Sequence, residues 1–94
     1  MRCSELEYSD HALQRMKVRR VSKEEVEFVL RNCQELLYDT VEKHYIFVNY
    51  EVKLAVVVDI EGKRCIVVTV IPSSRLGRLV AKRKEKGRWV KVEL

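Results

Sequence analysis

The stretch Leu54-Ala55-Val56-Val57-Val58-Asp59-Ile60-Glu61-Gly62-Lys63-Arg64-Cys65-Ile66-Val67-Val68-Thr69-Val70-Ile71 decides the fold. Two runs rich in β-branched residues flank Glu61-Gly62-Lys63, a triplet suited to a turn, so the stretch reads as a β-hairpin. Both runs are apolar on both faces. Leu54, Val56, Val58 and Ile60 oppose Ala55 and Val57, and Cys65, Val67 and Ile71 oppose Ile66, Val68 and Val70. A sheet buried on both sides needs two covers. Helices supply one; the C-terminal segment, a second copy or a partner protein must supply the other.

On the N-terminal side, residues 36–40 and 43–50 alternate as two further strands, and their short connections predict an antiparallel meander. Before them, Ser9 can cap a helix running to about Val18, with Ala12, Leu13 and Met16 on its buried side. Arg19, Arg20 and Val21 make a turn. Ser22 and Glu25 then form a capping box for a second helix, whose buried stripe is Val26, Val29, Leu30 and Cys33. On the C-terminal side, Pro72-Ser73-Ser74 ends the sheet run. Leu76, Leu79 and Val80 have helical spacing, Gly87 is a helix stop, and residues 89–94 alternate as a final edge strand. The predicted order is β-α-α-β-β-β-β-α-β. This is an α+β fold, with an antiparallel meander sheet, two N-terminal helices on one face, and a basic C-terminal helix with a short last strand. Residues 1–72 form the compact body and residues 73–94 an extension of the same domain.

The 94 residues suit one domain, and scarce Gly and Pro exclude disorder and low complexity. No apolar run approaches the roughly 20 residues of a membrane helix. The first residues lack the apolar stretch of a signal peptide, so a cytoplasmic protein is expected. Asn32, Asn49, Gln14 and Gln34 are the only side-chain amides amid abundant Glu, Lys and Arg, a composition that points to a thermophile. Cys3, Cys33 and Cys65 form no C-x-x-C pair, so zinc is not expected; they read as reduced packing cysteines, a disulfide being the alternative that a thermophile allows. Asp10, Asp39 and Asp59 are scattered, and neither metal nor cofactor is expected.

The informative chemistry lies in Tyr8-Ser9-Asp10-His11-Ala12-Leu13-Gln14-Arg15-Met16-Lys17-Val18-Arg19-Arg20-Val21-Ser22. His11 and Arg15 are four apart and share a helix face. His11 falls in the first turn, where free backbone amides attract anions. A His, an Arg and helix amides together suit a phosphodiester. The bland alternative is a solvated helix face with an ordinary surface histidine.

The H-A-x-x-R-M string, the basic turn, the Ser-x-x-Glu-capped helix and a strand ending Val68-Thr69-Val70-Ile71-Pro72 resemble a prokaryotic family of unknown function over roughly residues 5–72. That family is distantly similar to RelE-like and BrnT-like ribonuclease toxins of toxin–antitoxin pairs. The resemblance implies a compact sheet with two packed helices and metal-independent RNA cleavage. His11, Arg15 and Arg20 match the family's recurring polar positions and are the expected catalytic residues, and Thr69 matches its strand position. In such a site the 2′-hydroxyl attacks phosphorus. His11 moves the proton, and Arg15 and Arg20 hold the phosphate with Lys17 and Arg19 nearby. Tyr8, Tyr45 or Tyr50 could stack on a base or pack the sheet, and Thr69 also suits a plain β-former. His44, opening a strand, reads as an edge residue. Many members of the family stop soon after the Thr-bearing strand, whereas this chain continues with a basic segment, similar to the basic C-terminal helix of BrnT-like toxins.

The net charge of +5 is unevenly spread. Residues 1–72 hold 11 basic and 12 acidic residues, net −1, and residues 73–94 hold 8 basic and 2 acidic, net +6. Arg75, Arg78, Lys82 and Arg83 place a basic face on the last helix, which attracts phosphate backbones. An acidic antitoxin would bind the same patch, and a solvated surface is the bland alternative. Trp89 could stack on a base or lock the last strand. Three functions are therefore weighed: a ribonuclease toxin acting on RNA, with or without the ribosome; a non-catalytic nucleic-acid-binding module; and a homodimeric protein-interaction subunit. No membrane partner is expected.

Overall fold

The computed structural model describes residues 3–93. The elements are β1 (Glu5–Tyr8), α1 (Asp10–Arg19), α2 (Lys23–Arg31), β2 (Glu35–Asp39), β3 (Tyr45–Asn49), β4 (Leu54–Glu61), β5 (Arg64–Pro72), α3 (Leu76–Glu85) and β6 (Trp89–Val92). Leu94, expected in the last strand, lies outside the described residues. No described helix is long and apolar enough to cross a membrane.

Local chemistry starts and stops these elements. Ser9 Oγ accepts from the Ala12 amide at 3.0 Å and caps α1. Arg20 ends α1 in the left-handed conformation (φ 57°), unusual for a residue with a Cβ. Ser22 and Glu25 complete the capping box of α2. Two buried polar residues shape the hairpin turns. Asp39 Oδ1 accepts from the Val41 and Glu42 amides, and Asn49 Oδ1 accepts from those of Glu51 and Val52. Lys43, Lys53 and Gly62 supply positive φ in the three turns.

The six strands form one sheet in the order β1-β5-β4-β3-β2-β6. Strands β2 to β5 pair antiparallel in succession, but β1 lies parallel to β5 on its outer edge. The sheet is therefore mixed, not the purely antiparallel meander expected. The short turns govern only β2 to β5. The β1 strand reaches its partner across both helices and three other strands, the long connection that parallel pairing requires.

Helices α1 and α2 pack on one face over Leu36, Phe47, Val56, Val58, Cys65, Val67 and Val70. Helix α3 packs on the other over Leu37, Ile46, Val48, Ala55 and Val57. The C-terminal segment is thus the second cover. It stops short of β5, where Ile66, Val68, Thr69 and Ile71 stay half-buried. A β-bulge corrects the expected faces of β5. Val58 pairs with Val67 but Val57 pairs with Thr69, so Val68 is an extra residue. Past the bulge the alternation reverses: Val70 joins the α1/α2 core with Cys65 and Val67, and Ile71 turns to the α3 side.

Two further expectations are corrected. Leu13 is 41% exposed, so the buried side of α1 is Ala12 and Met16. Cys3 and Cys65 are joined in a disulfide that ties the approach to β1 onto β5, leaving Cys33 free and half-buried, with burial pushing its thiol pKa up. Spacing along the chain does not reveal that pairing, because a parallel edge strand brings the two cysteines together.

Candidate nucleic-acid interface

Helix α1 and its C-cap Arg20 hold five of the expected residues, but they do not form one cluster. His11 and Arg15 share an exposed face about one helical turn apart. Arg20 is exposed at the other end, about 13 Å along the axis from His11. Arg19 turns inward and donates from Nη1 to the Val70 carbonyl, a bracket between helix and sheet. Lys17 is exposed. Among the described residues no side-chain hydrogen bond or salt bridge joins His11, Arg15, Lys17 or Arg20 to another group.

Thr69 lies on the opposite face of the sheet from α1. The cross-strand row Leu37–Ile46–Val57–Thr69 runs beneath α3, three members buried and Thr69 half-buried at its open end. Cross-strand partners share a face, so the bulge places Thr69 with the basic helix.

Helix α3 is seated by Leu76 and Val80, both 2% exposed. Along one flank, Lys84 donates to Glu35 of β2, which also accepts from the Tyr50 hydroxyl. Burial opposes ionisation of Glu35, but the hydrogen bonds from Lys84 and Tyr50 outweigh it and lower the pKa. For Tyr50, burial and then the Glu35 carboxylate raise the pKa well above the ordinary phenol value. At 100° per residue, Lys82 and Lys86 fall on the flank away from Lys84 and Arg78 on the outward side, while Arg75 is the N-cap. Among the described residues none of the four is in a salt bridge. Arg83 instead lies over the Trp89 ring, 5.2 Å from its centroid. The basic helix α3 and the half-buried residues of β5 thus share one face of the sheet.

Asp39 anchors the far end. Besides the turn amides, its Oδ2 accepts from Trp89 Nε1 at 3.0 Å and Arg88 Nε at 3.3 Å. Burial opposes its charge, yet the Glu42 and Val41 amides, the indole and the Arg88 guanidinium together lower its pKa. Trp89, 2% exposed, therefore locks β6 to the core and does not stack on a ligand.

The remaining tyrosines are also structural. Tyr45 meets Tyr38 edge-on at 5.0 Å, and Tyr8 sits under Lys23 at 5.1 Å from its ring centroid. Burial, then Glu27 and Glu24, raise the Tyr8 pKa. Two clefts lie away from the expected residues. One of about 420 Å³ is lined by Gln34, Glu35, Leu36, Lys91, Val92 and Glu93. An apolar one of about 250 Å³ is lined by Glu24, Glu25, Phe28 and Val52.

The residue that sequence reasoning set aside is His44. Its Nδ1 stands 4.0 Å from Asp59 Oδ1. Tyr45 and Val58, their chain neighbours, belong to the α1/α2 core, so His44 and Asp59 face the α3 side. Only the pairing of β3 with β4 brings them together, although both lie in predicted strands.

A family model described as "Domain of unknown function (DUF4258)" matches residues 8–92. Neither a curated protein nor a solved structure matches. The match continues past Pro72 through α3 and into β6, so the basic segment is part of the shared domain.

Proposed function

The chain belongs to the DUF4258 family, a domain family of unknown function, and from that premise we propose that it binds RNA on the α3 face and cleaves it without a metal, as a RelE-like toxin held by an acidic antitoxin. One observation carries the reading. Arg75, Arg78 and Lys82 lie free of salt bridges among the described residues, on the sheet face that also holds Thr69. Unpaired cations beside a half-open sheet suit a single strand, whose phosphates meet the helix while its bases lie on the strands. The 2′-hydroxyl attacks the adjacent phosphorus, leaving a 2′,3′-cyclic phosphate and a free 5′-hydroxyl. An acidic partner protein would cover the same cations and block the site.

The test is cleavage of RNA in EDTA, with cyclic-phosphate ends and a steep salt dependence of binding. Arg75→Glu, Arg78→Glu and Lys82→Glu together should weaken RNA binding roughly 100-fold and flatten the log–log salt slope by about 2. Salt-insensitive binding, unchanged by the triple reversal, would rule the interface out. The separation of His11 from Arg20 favours a second reading, binding without cleavage; it predicts the same salt slope with intact RNA.

A further inference from the structure

We infer that His44 and Asp59 form a catalytic dyad at the edge of the α3 face, with His44 Nε2 as the proton-transfer atom toward an RNA phosphodiester. The inference rests on the ribonuclease reading and names a different centre from the His11 helix.

Three observations converge. The His44 Nδ1 is sealed from solvent with no hydrogen-bond partner in the described structure, and the carboxylate it faces is that of Asp59, 4.0 Å away. On the other side, the carboxylate of Asp39 is already engaged by two backbone amides, the Trp89 indole and Arg88. The Asp39 amide donates to the His44 carbonyl at 2.8 Å, which fixes the backbone beneath the ring. Asp59 is therefore the available partner for Nδ1. An imidazole whose Nδ1–H points at a carboxylate presents an unprotonated Nε2 to substrate. A gap of 4.0 Å is longer than a hydrogen bond, and such contacts commonly tighten when substrate binds.

The surroundings match the task. Asp59 pairs across the sheet with half-buried Ile66, and the row above ends at Thr69, so the dyad borders the open part of β5. The chain leaving α3 meets the sheet on its β2–β6 side, at the strand end that also holds His44. Thr40 Oγ1 donates to the Gly87 carbonyl, and Trp89 pairs with Asp39. The last turn of α3 carries Lys82, Arg83 and Lys84, of which Arg83 lies over Trp89. His11 has none of this: it stands on the helix of the opposite face, with no salt bridge or side-chain hydrogen bond to a carboxylate among the described residues.

The step balances without a co-reactant. His44 Nε2 takes the 2′-hydroxyl proton as the 2′-oxygen bonds to phosphorus. The bond from phosphorus to the 5′-oxygen breaks, and that oxygen takes a proton back from the imidazolium. Asp59 is the positioning residue, holding the ring and its tautomer.

The experiment uses the full chain and a short oligoribonucleotide. His44→Gln should lower the cleavage rate by roughly 10²–10⁴ with RNA affinity retained, and Asp59→Asn should lower kcat while leaving KM near wild type. His11→Gln should leave both unchanged. The chain has two histidines, so their ring resonances are assigned by single substitution. An otherwise identical 2′-deoxy oligonucleotide, which cannot be cleaved, should shift the His44 resonances and not those of His11. This measurement on wild type keeps the test valid if a variant folds poorly. Wild-type cleavage that survives His44→Gln but is lost in His11→Gln overturns the dyad and leaves the ribonuclease reading standing. Absence of wild-type cleavage overturns both.

Discussion

The two faces of the sheet are closed by different means. Under α1 and α2 the closure is apolar and covalent: a continuous core from Ala12 to Val70, a capped helix pair and the Cys3–Cys65 disulfide. Under α3 it is polar and partial. One ten-residue helix sits on a smaller core, pinned at one end by Asp39 to Trp89 and Arg88 and along one flank by Glu35 to Lys84. A face covered by two helices is filled mainly by its own side chains, while one held by a single helix and two carboxylates stays half open over β5 and keeps its cations in solvent.

The largest effect that should separate the faces comes from the disulfide. Its 62-residue span makes reduction, or Cys3→Ser, cost about 4 kcal/mol in the chain-entropy account. Denaturant unfolding with and without reductant measures the loss, and hydrogen exchange should show β1 and α1 opening first. A reduced protein of unchanged stability would remove the covalent half of the comparison. Next is Asp39→Ala, which strips two turn amides of their acceptor and leaves the buried Trp89 indole unpaired, at roughly 2–3 kcal/mol. Here α3 and β6 should open before α1; uniform loss of protection would mean that the faces do not open separately.

Acid should act on the α3 face in the same sense. The folded pKa values of Asp39 and Glu35 are lowered, so their stabilisation is present above the ordinary carboxylate range and is lost as pH falls through the lower folded values. The melting temperature should drop below about pH 4, and less steeply in Asp39→Asn. The smallest effect belongs to Arg20. Replacing it with Gly removes the left-handed strain at the end of α1 and should raise stability by about 1 kcal/mol or less. If Arg20→Gly also leaves RNA cleavage intact, Arg20 does not belong to the site.

Much of the architecture was legible in the residues. Ser9, Ser22 with Glu25, Gly62 and Gly87 mark element ends that the structure reproduces closely, because capping and turn chemistry act within a few residues. The basic segment was legible as charge, and α3 does carry it. The site was less so. His11 and Arg15 stand out as a string yet face away from the basic helix. His44 and Asp59, fifteen positions apart in strands of ordinary appearance, meet only through β3–β4 register.

By itself the sequence determined the order of elements, their caps, the two-sided apolar hairpin and the segregation of charge, since each follows from periodicity or from contacts between near neighbours. Tertiary structure decided the parallel placement of β1, the Cys3–Cys65 bond and which residues share a face. The bulge at Val68 shows why. One extra residue reverses the alternation of β5, and Thr69 moves from the side of α1 to the side of α3. A strand's own pattern has period two and carries no mark of where that period slips; the slip is set by the partner strand and by the side chains that must be buried on each side.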